Sequence, residues 1–125
     1  MRLTGLAPVL LVPDVGAAPA YYRDTLGFVV EAWSGEPSDY GYATRDACTI
    51  HLGHGVRAHP NADLRPPDMF DVYLYVDDVA ALHEELRGRD AEILHEPIDR
   101  PWGMREIRVR DLNGYVLGFG EPVER

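Results

Sequence analysis

The chain contains one short pattern twice, at a constant spacing of 64 residues. Residues 6–18 and 70–82 each consist of an apolar strand, a Val-x-Asp-Val step and the alanine-rich start of a helix. A repeat of this length within 125 residues indicates a protein built from two similar modules. Equivalent strand positions in the two modules are therefore the places where we expect a functional site.

Local signals predict the same order of elements, β-α-β-β-β, in both modules. In the first module they predict a strand over 6–12, a helix over 16–26 and strands over 28–33, 39–44 and 47–53. In the second they predict a strand over 70–76, a helix over 78–87 and strands over 91–95, 104–110 and 115–120. Asp14 is a plausible helix cap, and Asn113-Gly114 marks a hairpin turn.

These elements predict an α+β fold in a single domain over 1–125. The first module covers about 1–56 and the second about 69–125. Residues 54–68 contain clusters of glycine and proline without periodicity, and we expect them to form a linker or flexible loop.

The composition excludes some classes of binding partner and some kinds of catalysis. The formal net charge is −9, from 12 basic and 21 acidic residues, which is the opposite of what a nucleic-acid binder needs. The acidity suits a cationic ligand, although it also serves solubility. All basic residues are arginine, which excludes a lysine Schiff base. No apolar run approaches a membrane span, and the single cysteine, Cys48, is compatible with the cytoplasm.

Alternation along the strands assigns polar side chains to the face that does not pack on helices. Asp71 and Tyr73 alternate with aliphatic residues in the fifth strand, and Glu106 and Arg108 do so in the seventh. His51 alternates in the same way in the fourth strand. We therefore expect these five side chains to lie on the face opposite the helices.

Four segments carry a resemblance to a known family. They are Val-Pro-Asp-Val at 12–15, Tyr-Tyr-Arg-Asp-Thr-Leu-Gly-Phe at 21–28, Pro-Trp-Gly-Met-Arg-Glu at 101–106 and Arg-Asp-Leu-Asn-Gly-Tyr at 110–115. With the β-α-β-β-β pattern, they resemble the vicinal oxygen chelate superfamily, which includes glyoxalase I, extradiol dioxygenases and bleomycin resistance proteins. The resemblance implies two modules in a curved mixed sheet, with helices on its convex face, a cavity on its concave face and a homodimer.

The resemblance also implies where a metal would be bound. Metal-dependent members place ligands at one position on each of four strands, which here correspond to Ala7, His51, Asp71 and Gly118. Alanine and glycine cannot ligate a metal, and a divalent site needs about three protein ligands. His51 and Asp71 would need a third group such as Glu106. We therefore expect no cofactor, with a divalent metal ion on these three residues as the alternative.

Aromatic residues favour a binding function. Trp102 lies in a polar loop and Trp33 ends the second strand, while Tyr73 adds a flat surface. In bleomycin resistance proteins a tryptophan in the matching Pro-Trp-Gly segment helps to form the drug-binding groove, so the resemblance implies that role for Trp102. Alternatively, Trp102 covers a dimer interface or a sheet edge.

The main hypothesis is a cytoplasmic homodimer that sequesters a cationic aromatic molecule, such as a bleomycin-like antibiotic, without chemistry. Trp102 and Trp33 would stack on the ligand, Asp71 and Glu106 would supply negative charge, and His51 would donate or accept a hydrogen bond. The alternative is a metal-dependent enzyme, either a glyoxalase-like lyase or isomerase or a dioxygenase. A third hypothesis is a protein that binds some other metabolite.

Two of these residues also have structural interpretations. His51 could be a pocket histidine held by hydrogen bonds to its neighbours. Asp71 could form an internal salt bridge with Arg108 or Arg110.

Overall fold

Each copy of the repeat contains an aspartate that supports the start of a helix. In the computed structural model, which describes residues 1–32 and 39–123, the Asp14 carboxylate accepts hydrogen bonds from the backbone N–H groups of Gly16 and Ala17, at 2.8 and 2.9 Å. The equivalent Asp78 accepts one from Ala81 at 3.0 Å. Because the first N–H groups of a helix have no partner within it, these carboxylates stabilise both helix starts.

The chain divides into two compact units, Met1–Ala58 and His59–Arg125. The first contains β1 (Val9–Val12), α1 (Ala17–Asp24), β2 (Val29–Ala32), β3 (Tyr40–Arg45) and β4 (Cys48–His54). Its sheet has the order β1-β4-β3-β2, in which β1 runs parallel to β4 and the other neighbours are antiparallel. Helix α1 packs on β2 and β3.

The second unit begins with a 3₁₀ helix and then repeats the order of the first, with one additional short strand. Its elements are the 3₁₀ helix Asn61–Asp63, β5 (Val72–Tyr75), α2 (Val79–Gly88), β6 (Glu92–Ile93), β7 (Ile98–Asp99), β8 (Met104–Arg110) and β9 (Val116–Pro122). The sheet order is β5-β9-β8-β6, and β7 also pairs with β8. Strand β5 is parallel to β9, while β8 is antiparallel to its neighbours. Helix α2 packs on β8 and β9.

The strands bury the apolar faces that alternation predicts. In β1, Leu10 and Val12 are buried, whereas Val9 and Leu11 are exposed. In β5, Val72 and Leu74 are buried, whereas Tyr75 is exposed. In β8, Ile107 and Val109 are fully buried. Removing these apolar side chains from water is the main stabilising contribution to each unit.

The hairpin between β8 and β9 forms where Asn113-Gly114 predicts it. Gly114 has a φ of 87°, in the left-handed region that glycine adopts without strain. Asp111 is buried, and its carboxylate accepts hydrogen bonds from the N–H groups of Asn113 and Tyr115 at 2.8 and 3.0 Å. These bonds fix the turn and hence the register of β8 on β9.

The first strand is shorter than the predicted 6–12. Its pairing with β4 begins where the Pro8 carbonyl accepts a hydrogen bond from the His51 N–H at 2.9 Å. Because Pro8 has no backbone N–H, it cannot donate a hydrogen bond that would extend the strand toward Ala7. Ala7 therefore precedes the strand instead of lying in it.

Other predicted boundaries also differ from those in the structure. The strand predicted over 91–95 is reduced to Glu92–Ile93, and the predicted loop after it contains β7. Pro97 separates the two short strands, because it has no N–H for a ladder. The predicted linker over 54–68 contains the 3₁₀ helix, and the predicted helices differ from α1 and α2 by one or two residues at their ends.

The predicted α+β class with βαβββ-like modules is confirmed. That the modules form a single domain, and that the chain dimerises, stay predictions. Across the parts of the chain that the structure describes, neither helix has the length and apolar character required to span a bilayer.

Candidate functional site

A groove with a volume of about 520 Å³ opens on the second unit. One side is formed by the segment that leads into β5, and the other by β8 and the loop around β7. This volume is within the range of small-molecule binding sites. Its lining residues are Arg65, Pro66, Pro67, Asp68, Met69, Phe70, His95, Arg100, Trp102 and Arg108.

A fully buried carboxylate, Glu106 on β8, organises one side of this groove. One of its oxygens accepts hydrogen bonds from Arg100 Nε at 2.9 Å and from Arg108 Nη2 at 3.4 Å. The other accepts one from the Tyr73 hydroxyl at 2.9 Å. A carboxylate is costly to bury unless it is paired and hydrogen-bonded, and these three donors meet that requirement.

Tyr73 is held as a hydrogen-bond donor. Burial, followed by the hydrogen bond to Glu106, raises the pKa of Tyr73 from 10.0 to about 12. Its ring lies over the glycines of the neighbouring strand, since a Cβ at Gly118 would be 3.0 Å from the ring and one at Gly120 would overlap the hydroxyl. The two glycines thus provide the space that brings Tyr73 to Glu106.

The two arginines that pair with Glu106 each lie over an aromatic ring. The Arg108 guanidinium lies 5.2 Å from the centre of the Phe70 ring, and its Nη1 donates to the Asp68 carbonyl at 2.9 Å. The Arg100 guanidinium lies 5.7 Å from the centre of the Trp102 ring. Cation–π contacts of this kind fix the orientation of both side chains.

Trp102 is 60% exposed, so its indole is not part of the core. A large aromatic surface left in water beside a groove favours stacking with a ligand. His95 completes this side of the groove. Its Nδ1 lies 2.8 Å from the Glu96 carbonyl oxygen and its Nε2 lies 3.5 Å from Arg100 Nη2, so both ring nitrogens have partners.

The structure brings together three of the predicted site residues, Tyr73, Glu106 and Arg108, and places Trp102 on the same groove. It gives Asp71 a different setting. The Asp71 carboxylate accepts hydrogen bonds from the backbone N–H groups of Asn61 at 2.7 Å and Val116 at 2.9 Å. Asp71 therefore connects the 3₁₀ helix to β9, in place of the salt bridge predicted with Arg108 or Arg110.

His51 lies in the first unit. Its Nδ1 is 3.0 Å from the Tyr40 hydroxyl, and its ring meets the rings of Tyr40 and Tyr42 edge to face. This contact matches the structural interpretation of His51, a histidine held by a hydrogen bond to a neighbouring side chain. Trp33 lies outside the described residues.

Sequence reasoning missed three further residues that line the groove, Arg65, Phe70 and Arg100. One signal was present for Arg100, which directly precedes the Pro101-Trp102 segment. Nothing local indicated that Arg100 would reach back to Glu106, because that pairing depends on the short β7 ladder.

A family model for the glyoxalase/bleomycin resistance protein/dioxygenase superfamily matches residues 5–119. The chain belongs to this superfamily. Solved structures of similar proteins include the bleomycin-binding protein from bleomycin-producing Streptomyces verticillus, complexed with copper(II)-bleomycin. The two chains are 26% identical, with a TM-score of 0.73 over 100% of this chain and 99% of the other. A search of curated proteins gave no significant match.

Two further solved structures share the fold at lower identity. A glyoxalase-related enzyme from Clostridium phytofermentans is 18% identical, with a TM-score of 0.79 over 98% of both chains. TnmS3, an antibiotic binding protein from Streptomyces sp. CB03234, is 24% identical, with a TM-score of 0.72 over 98% of both chains.

The residues of this member do not fit the metal site that the superfamily implies. Ala7 and Gly118 have no donor atoms, and the Tyr73 ring occupies the space into which a longer side chain at Gly118 would project. Both oxygens of Asp71 already accept backbone hydrogen bonds. Within residues 1–32 and 39–123, no three His, Cys, Asp or Glu side chains are grouped to hold a metal ion. We derive no metal-dependent step for this chain.

Proposed function

We propose that this chain is a small-molecule binding protein of the glyoxalase/bleomycin resistance type, which sequesters an aromatic ligand without converting it. The observation that carries the proposal is the groove itself, in which the exposed Trp102 indole lies opposite the segment that holds Phe70. Such a groove suits a flat ligand that stacks on an aromatic ring.

The ionisable groups around the groove support binding over chemistry. Tyr73 keeps its proton because its pKa is about 12, and the oxygens of Glu106 accept hydrogen bonds from three donors. A general base must be free to take a proton at the working pH. The Tyr73 hydroxyl keeps its proton and does not meet that condition, while Glu106 holds Arg100 and Arg108, which line the groove.

The similarity to the bleomycin-binding protein supports the same proposal, since that protein holds copper(II)-bleomycin and matches this chain along its whole length. The net charge of −9 suits a cationic ligand but also serves solubility. However, the Glu106 and Asp68 carboxylates are already paired with arginines. The proposal therefore rests on the aromatic part of the ligand and leaves its charge to experiment.

We also propose that the protein is a cytoplasmic homodimer. Four apolar side chains near the start of the chain are exposed, Leu3, Leu6, Val9 and Leu11, and a second copy would cover them. Light scattering during gel filtration tests this proposal, since a dimer has twice the 14.0 kDa mass of the chain. A monomer at micromolar concentration would contradict it.

The test of function is a thermal-shift screen of aromatic natural products that includes copper(II)-bleomycin, followed by mass spectrometry of the released ligand. We expect a compound that raises the melting temperature of the wild type, loses that effect in Trp102→Ala and is recovered unchanged. Chemical conversion of the ligand, or stabilisation that does not depend on Trp102, would overturn the proposal.

A further inference from the structure

The charged side chains that line the groove are mainly positive, whereas the protein as a whole has a negative net charge. Among the described residues that line the groove, three carry guanidinium groups, Arg65, Arg100 and Arg108, and one carries a carboxylate, Asp68. Asp68 is itself bonded to Arg110, at 2.8 Å. A groove rich in arginine within a chain of net charge −9 needs a reason that solubility does not provide.

The ion pairs of Glu106 do not neutralise all of the positive charge beside the groove. Glu106 is a single carboxylate between two guanidinium groups, Arg100 and Arg108. Arg108 Nε is buried and has no hydrogen-bond partner among the described residues. Arg110 faces both Asp68 and Glu92, so the excess positive charge lies on the groove side of the network.

Arg65 differs from the other two arginines. It is exposed at the edge of the groove, and within the described part of the chain its guanidinium has no hydrogen bond or ion pair. All of its donors are therefore available to a ligand. Arg100 and Arg108 are already oriented by Glu106 and by the rings of Trp102 and Phe70, so they lose little freedom when a ligand binds.

We propose that the groove selects an aromatic molecule that carries an acidic group, a carboxylate, sulfonate or phosphate, held by Arg65 together with Arg100 and Arg108. This inference rests on the proposed binding function and names its ligand class. The planar guanidinium matches such oxyanions with paired hydrogen bonds, and Trp102 provides the surface for the aromatic ring. An aromatic cation would meet the three guanidinium groups, while the lining carboxylate Asp68 is already bonded to Arg110.

A pair of fluorescent probes with the same ring system tests the inference. Anilinonaphthalene sulfonate carries one sulfonate, and N-phenyl-naphthylamine is the same molecule without it. We expect the sulfonate to bind at least about tenfold more tightly, with an affinity that falls as salt is added. A titration with copper(II)-bleomycin, as a competitor of the bound sulfonate probe, tests the cationic alternative.

Variants then locate the effect. Arg65→Gln is expected to weaken the sulfonate probe by about threefold to tenfold and to leave the neutral probe within about twofold. Arg65 is exposed, so this variant keeps the fold. Arg57→Gln is the matched control, since Arg57 is an exposed arginine of the first unit that does not line the groove, and both affinities should be unchanged. Trp102→Ala should weaken both probes.

The outcomes separate the two proposals. Equal affinity for the two probes, no effect of Arg65→Gln, or displacement of the sulfonate by copper(II)-bleomycin with higher affinity would overturn the acidic-ligand inference while Trp102-dependent binding stands. Binding of both probes that is insensitive to Trp102→Ala would show that the groove is not the binding site, and both proposals would then fall.

Discussion

The Tyr73 hydroxyl donates a 2.9 Å hydrogen bond to Glu106, a carboxylate with no solvent-exposed surface. Replacing Tyr73 with phenylalanine removes this donor, so that one oxygen of the buried Glu106 carboxylate loses its hydrogen bond from Tyr73. We expect the free energy of unfolding to fall by about 1–2 kcal/mol, as measured by urea denaturation. Tyr75→Phe is the control, because Tyr75 is 76% exposed and should change stability little. Equal effects of the two variants would contradict the role given to Glu106.

The same contact makes stability depend on alkaline pH. The pKa of Tyr73 is raised from 10.0 to about 12, so between these values the unfolded chain releases the proton while the folded protein keeps it. Rising pH across this window therefore favours unfolding, and the contribution is fully present below pH 10. Urea midpoints of wild type and Tyr73→Phe should converge as pH rises through the window. A difference between the two midpoints that stays constant with pH would show that folding does not raise the pKa of Tyr73.

Gly120 provides space for Tyr73, and filling it should be costly. A Cβ at Gly120 would overlap the Tyr73 hydroxyl, so Gly120→Ala must displace either the ring or the strand. We expect a loss of about 2–3 kcal/mol in the free energy of unfolding, typical of overpacking. Gly88→Ala is the matched control, since a Cβ there meets nothing within 4 Å and alanine favours the helix. A neutral Gly120→Ala variant would be inconsistent with the described position of Tyr73.

Asp71 tests the difference between a structural and a ligand-binding carboxylate. Its two oxygens accept backbone hydrogen bonds from Asn61 and Val116, and an asparagine can replace only one of them. We expect Asp71→Asn to lower the free energy of unfolding by about 1–2 kcal/mol and to leave the affinity for aromatic probes unchanged. Asp63→Asn, at an exposed position of the 3₁₀ helix, should change neither quantity. If Asp71→Asn reduced the affinity for the probes and left stability unchanged, Asp71 would be a ligand-binding residue and not a structural one.

The sequence was most informative where the signal is local. The equivalent roles of Asp14 and Asp78 follow from the repeat, and the turn at Asn113-Gly114 follows from its own residues. The two-residue period of β8 likewise identified Ile107 and Val109 as core residues. Each of these features depends on neighbours within a few positions along the chain.

The organisation of the groove depends on contacts that are distant along the chain, and the sequence could not specify them. Alternation correctly grouped Tyr73 with Glu106, but it suggested an open carboxylate for the ligand, whereas Glu106 is enclosed by Arg100 and Arg108. Likewise, the partners of Asp71 are backbone groups, which every residue carries and no sequence motif marks. Pairing of this kind is decided by tertiary packing.

Trp102 fluorescence gives the most direct test of the binding proposal. The chain has two tryptophans, so Trp33→Phe leaves Trp102 as its only indole, and the emission then reports on Trp102 alone. Titration of this variant with anilinonaphthalene sulfonate should quench Trp102 to saturation at one probe per chain, with the probe recovered unchanged. Saturable binding of the probe with no change in Trp102 emission would show that the ligand lies elsewhere and would contradict the account.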